Sequence, residues 1–133
     1  MPPDIVAVIQ DCTAGSDAGR IAFPAVVSAL AAAGVERYHA DLRRAEKTYY
    51  LPDGESLSVP CRPPGGPVGE AFSATAVEAA IRAVQGGRLD YKGFCERILA
   101  AGCVGYHVSL AGRRCVYYGR TGETHVEMFP GAA

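Results

Sequence analysis

The feature that most constrains this chain is that it repeats itself. Shifting the sequence by 68 positions aligns residues 18–55 with 86–123 without a gap, and twelve of the 38 aligned positions are identical. The matches include Ala32-Ala33-Gly34 with Ala100-Ala101-Gly102, Tyr38-His39 with Tyr106-His107, and Tyr49-Tyr50 with Tyr117-Tyr118. Shared Ala and Gly bias accounts for the first of these but not for the Tyr-His and Tyr-Tyr pairs. A chain of this kind is read as two copies of one supersecondary unit. Between them, Cys61-Arg62-Pro63-Pro64-Gly65-Gly66-Pro67-Val68-Gly69 holds three prolines and three glycines, too many breakers for a helix or a central strand. The expected organisation is a single domain over 1–133, made of repeats 1–62 and 69–130 joined by the linker 61–69. Units of about 60 residues sit near the lower limit for a self-sufficient core, so the halves should share one interior around an approximate two-fold.

Each unit reads as two helices followed by a three-stranded antiparallel meander, which makes the fold class α+β. In the second copy, Thr75-Ala76-Val77-Glu78 has the capping-box pattern, and Val77, Ile81 and Val84 follow at helical spacing until Gly86-Gly87. Asp90 is the expected cap of the next helix, with Phe94, Ile98 and Leu99 as its buried stripe and Gly102 as its end. The period then changes to two. Val104, Tyr106, Val108 and Leu110 alternate with Cys103, Gly105, His107 and Ser109, and a short turn at Ala111-Gly112-Arg113 returns the chain. Setting Leu110 against Arg114 pairs Tyr106 with Tyr118; the same register in the first copy pairs Tyr38 with Tyr50 and Asp41 with Lys47. Asp53-Gly54 and Thr121-Gly122 mark the second turns, and Glu55 to Val59 and Glu123 to Phe129 are the third strands. Whether the six strands make one sheet or two is left open by pattern alone.

Composition narrows the function classes. Thirteen basic against fourteen acidic residues leave a net charge of -1, so no global basic field draws the chain to nucleic acid or an anionic surface. The longest apolar stretch, Ile21 to Val35, is short and broken by Pro24, Ser28 and Gly34, so no membrane association is expected. Met1-Pro2-Pro3-Asp4 lacks a basic n-region, and no secretory signal is expected. Five cysteines with no Cys-x-x-Cys spacing suggest neither a disulfide framework nor a zinc ribbon, and fit buried thiols in a reducing cytoplasm.

Candidate chemistry is sparse. In the register above, His39 lies beside Tyr49 and His107 beside Tyr117, on the face away from the core. Such pairs can serve acid–base chemistry in a small-molecule enzyme, or merely hydrogen-bond across a half-wet strand face. Alternation places Glu123, His125 and Glu127 on one side of the last strand, the only candidate metal ligands, although a solvated strand face accounts for them as well. Arg113 and Arg114 with Tyr118 nearby, Arg120, and Arg43-Arg44 and Lys47 in the other copy cluster at basic hairpin turns that can hold a small ligand or single-stranded nucleic acid. No Walker sequence, nucleophile elbow or His-Glu-x-x-His is present, and no cofactor is implied.

Val77 to Pro130 carries Tyr91 with Phe94-Cys95, Ala101-Gly102-Cys103, Tyr106-His107-Val108, Tyr117-Tyr118-Gly119, Gly122-Glu123 and a Met128-Phe129-Pro130 ending. In these elements the chain resembles the YdfO/YbcV-like family, small bacterial proteins often borne on prophages. The resemblance implies no known reaction. The first copy departs from the pattern, with Val35 for the cysteine after glycine and Lys47-Thr48 before Tyr49-Tyr50. The reading that follows is a non-catalytic binding or regulatory module for a protein partner or small ligand, with edge strands that invite homodimerisation. The alternatives are an enzyme using the His–Tyr pairs and a weak single-stranded nucleic-acid binder.

Overall fold

The computed structural model describes residues 1–130. Two helices, α1 (Pro3–Asp17) and α2 (Phe23–Ala32), precede strands β1 (Arg37–Asp41), β2 (Glu46–Tyr50) and β3 (Ser56–Pro60). The same order follows in α3 (Ala74–Gln85), α4 (Tyr91–Ala100), β4 (Cys103–Ser109), β5 (Arg114–Gly119) and β6 (Thr124–Met128). The six strands form one antiparallel sheet, in the order β3-β2-β1-β4-β5-β6. The fold is α+β, with the helices on one sheet face.

Local chemistry explains the helix starts. Prolines open α1 and α2, where a missing N–H costs nothing. Asp90 caps α4 as expected, its Oδ1 accepting the Gly93 N–H at 2.8 Å. The cap of α3 is Ser73 rather than Thr75: the Ser73 hydroxyl accepts the Ala76 N–H at 3.1 Å, and the helix begins one turn-step earlier. A hydroxyl two residues upstream offered the same acceptor, and the chain used it.

The hairpin register differs from the expected one by a single residue. Tyr38 faces Tyr49 and Tyr106 faces Tyr117, where pairing with Tyr50 and Tyr118 was expected. The reason lies in the turns. Ala45 and Arg113, which occupy matching places in the two hairpins, adopt left-handed φ values of 54° and 53°. Asp41 Oδ1 accepts from the Arg43 and Arg44 N–H groups, and Ser109 Oγ from that of Gly112, closing four-residue turns. A slip of one residue reverses which side chains meet across a pair. Lys47 therefore pairs with Ala40, on the face opposite Asp41, so the expected Asp41–Lys47 contact does not exist. A β-bulge between Cys103 and Gly105 also turns Cys103 into the core in place of Val104.

The central β1–β4 pair sets His39 directly opposite His107, Tyr38 opposite Val108 and Ala40 opposite Tyr106. Adding 68 to each partner in the β1–β2 and β2–β3 ladders reproduces the β4–β5 and β5–β6 ladders. The sheet thus has matched halves that meet at the two histidines.

One core fills the space between helices and sheet. Ile9, Leu30, Val77, Ile98 and Val108 are fully buried in it, each worth about 1.5–3 kcal/mol of apolar transfer. Across the sheet floor runs an aromatic band, with Tyr49 against Tyr38 at 5.1 Å, Tyr38 against Tyr106 at 6.5 Å and Tyr106 against Tyr117 at 5.3 Å. The halves differ above this floor. Helix α4 buries Phe94, Cys95, Ile98 and Leu99 and packs on β4. Helix α2 buries only Val26 and Leu30 and packs chiefly on α1. Val26 stands where α4 has Phe94, and exposed Ala31 where it has Leu99, so α2 brings too few atoms to the floor to fill the space beneath it. Among the described residues no helix is long and apolar enough to cross a membrane.

Candidate functional site

The one-residue register change separates the histidines from their expected partners. Tyr49 and Tyr117 point into the core, with Tyr49 Oη hydrogen-bonded to Thr13 Oγ1 at 2.7 Å. Burial raises both phenols well above their ordinary range. His39 and His107 stand on the opposite, open face. The pairs His39–Tyr49 and His107–Tyr117 therefore do not form, and the acid–base reading built on them is withdrawn.

On the open face the two imidazoles stack, with centroids 4.4 Å apart and planes at 25°. His39 Nε2 lies 2.5 Å from Tyr118 Oη, a hydrogen bond across the two halves. The matching tyrosine of the first half, Tyr50, does not reach His107; the Arg37 guanidinium lies over its ring at 3.8 Å instead. Burial lowers both imidazoles from their ordinary value, with Asp41 opposing this at His39 and with His39 and Arg37 adding to it at His107. Both shifts favour the neutral form of the imidazoles on this face.

The basic turns do not join. The tip with Arg113 and Arg114 follows Ser109, which pairs with Arg37, while the tip with Arg43 and Arg44 follows Asp41, at the other end of β1. Arg37 and Arg44 sit beside Glu36 and Glu46, and Tyr118 lies at the far end of β5 from Arg114. The continuous basic stripe that a nucleic-acid strand needs is absent from the described residues.

The acidic strand is also rearranged. Glu123 precedes β6 and accepts the Thr121 hydroxyl in its own turn. His125 and Glu127 face the helices rather than water, their side chains 18% and 16% exposed. Glu127 is held by Arg82 of α3 at 2.9 and 3.4 Å. His125 Nε2 and Glu127 Oε1 lie 3.6 Å apart, but Glu123 does not join them, and no cluster of three metal-ligating side chains occurs among the described residues. The cysteines are free thiols, and burial pushes Cys95 and Cys115 up to about 12, far from the thiolate needed for nucleophilic work.

A concave space opens under α2. It is a cavity of about 660 Å³ reaching from the start of α2 across the sheet floor to the end of β6. Its volume lies in the range of ligand pockets. Ile81, Phe94, Tyr106 and Tyr117 wall its depth, and Phe23 and Phe129 meet edge to face at its mouth, with centroids 5.5 Å apart.

One charged side chain of the floor lacks an ion-pair partner. Lys47 is 3% exposed. Its ammonium lies 4.3 Å from the centre of the Tyr91 ring and 5.9 Å from that of Tyr38, and among the described residues it has neither an ion pair nor a hydrogen bond. Burial lowers its affinity for a proton; the surrounding Cys95, Cys61, Asp17 and Cys12 only partly oppose this. Asp17 is engaged elsewhere, its Oδ2 accepting the Arg62 N–H at 2.9 Å. Tyr38, which also lines the cavity, has no hydrogen-bond partner for its hydroxyl among the described residues. By contrast, Tyr91 and Tyr106 bond to each other at 2.6 Å. The sequence reading put Lys47 at a basic turn and opposite Asp41 rather than in the core. The signal was present: Lys47 falls in phase with inward Tyr49 and aligns with apolar Cys115 of the other copy.

Residues 65–127 match a family model described as a protein of unknown function, DUF1398. The uncharacterized proteins Mb2035 of Mycobacterium bovis and Rv2012 of Mycobacterium tuberculosis are each 36% identical to it over 59 residues, 44% of this chain. The chain spans about a third of the length of these relatives, 36%. The family match lies in the second half, whereas Lys47 and α2 belong to the first.

Proposed function

We propose that the protein is a non-catalytic binding module that takes a small, largely apolar molecule into the cavity beneath α2. The observation that carries this reading is the cavity itself, about 660 Å³ with mostly apolar and aromatic walls, in a molecule otherwise packed tightly around one core. Void of that size costs stability, and a ligand that fills it recovers the lost contacts. The open face supports catalysis poorly, because its imidazoles lie on a surface rather than in a pocket. The five free thiols suit a reducing compartment, and we place the protein in the cytoplasm. The repeated element order and ladder register suit descent of residues 1–62 and 69–130 from one duplicated unit, and the likeness of the second half to proteins of unknown function suits the YdfO/YbcV-like assignment.

The test is uptake of a neutral environment-sensitive dye, N-phenyl-1-naphthylamine. The wild-type chain should bind it saturably with a blue-shifted emission. Val26→Phe places on α2 the ring that α4 carries at Phe94, and should weaken uptake at least tenfold while raising the melting temperature. Equal uptake by the two proteins, or none by the wild type, rejects the cavity as the binding site.

A further inference from the structure

An apolar pocket needs no ammonium group, yet one stands in this pocket. Holding a lysine almost fully out of water without a counter-ion is costly, and the usual solution is a partner carboxylate. The chain supplies none to Lys47: among the acidic groups lining the cavity, Glu127 is held by Arg82 and Asp90 caps α4. Asp17 acts on Lys47 only through space, without an ion pair, and one of its oxygens accepts the Arg62 backbone N–H. The ring of Tyr91 offers its π face, which orients the ammonium without neutralising it. Beside it stands Tyr38, whose hydroxyl is a second unused donor. Two donors without a partner on neighbouring strands of a largely apolar cavity, whose own carboxylates Glu127 and Asp90 are already engaged, describe one half of a recognition site whose other half is an anion with an apolar body.

We propose that the cavity selects a monocarboxylate carrying an aromatic or aliphatic body, its carboxylate held by the Lys47 ammonium and the Tyr38 hydroxyl. This rests on the cavity being the binding site and adds the charge class of the ligand. The carboxylate lies at the floor, the apolar body against Ile81, Phe94 and the Phe23–Phe129 pair. The interaction is charge-assisted and screened from water, so it discriminates strongly against neutral analogues of equal shape.

The experiment compares naphthalene-2-carboxylate with naphthalene-2-carboxamide by calorimetry, on the wild type, Lys47→Met and Tyr38→Phe. Methionine keeps the apolar stem and nearly the volume of the lysine and removes the ammonium with its charge and donors. The wild type should bind the carboxylate at least tenfold more tightly than the amide; Lys47→Met should lose that preference while still binding N-phenyl-1-naphthylamine, and Tyr38→Phe should reduce it severalfold. A carboxylate preference that survives in Lys47→Met overturns the assignment and leaves the cavity reading intact. Failure of the wild type to bind the neutral dye overturns both.

Discussion

Tyr118 lies across Gly105 to reach His39, and it does so because residue 105 has no side chain. A Cβ built on Gly105 would collide with the Tyr118 hydroxyl and ring. In the matching place of the first half stands Arg37, which covers Tyr50 and leaves His107 without a phenol. One glycine thus decides which of two equivalent histidines is bonded. Gly105→Ala should displace Tyr118 and cost about 1–3 kcal/mol by overpacking. The His39 imidazole, rehydrated, should move back up toward its ordinary value. Urea denaturation and imidazole titration by NMR read the two effects.

The stacked histidines predict an acid-sensitive fold. Both imidazoles have folded-state proton affinities below the ordinary value of 6.5. The unfolded chain therefore binds protons first, and stability present above that value is lost as the pH falls through it toward the lowered folded values. His39→Gln/His107→Gln should flatten this part of the profile. Unfolding free energies at pH 7.5 and pH 5.5 provide the measurement.

Lys47 should be worth more to binding than to folding. Lys47→Met removes an uncompensated buried charge and keeps its volume, so it should stabilise the empty protein by about 1–3 kcal/mol. The lysine's lowered proton affinity also predicts that wild-type stability rises with pH between the lowered folded value and the ordinary lysine value of 10.5, because the unfolded chain binds more of that proton there than the folded one. The methionine variant should lack this rise. Melting temperatures from pH 7 to 10 distinguish the two proteins.

The hairpin turns store strain. Ala45 and Arg113 hold left-handed backbone, φ 54° and 53°, that an L side chain disfavours. Replacing either with glycine should stabilise the fold by roughly 0.5–1 kcal/mol, the relief of left-handed strain less the added freedom of the unfolded chain. Equilibrium denaturation of each variant tests this.

Much of the architecture was legible from residues. The Tyr-His and Tyr-Tyr matches announced two alike halves, and Asp90 and the strand alternation placed α4 and β4. The hairpin register was not legible, because the residue that turns left-handed is Ala45 or Arg113 rather than the neighbouring Gly112, and glycine was the natural choice. That error of one position moved Tyr49 and Tyr117 to the wrong face and produced histidine pairs that do not exist. Lys47 was hidden for a different reason: charge suggests water, and only its register with Tyr49 says otherwise. The cavity had no sequence signature beyond the small side chains of α2, whose meaning depends on how far the helix stands from the floor.

The mismatch between α2 and α4 has a consequence for counting. The sheet beneath is built twice over, yet only the first half leaves its helix short of side chains, and Lys47 has a cysteine as its counterpart. A titration of this chain should therefore reach its end point at one equivalent, with the doubled framework serving as a rigid bed for a single guest.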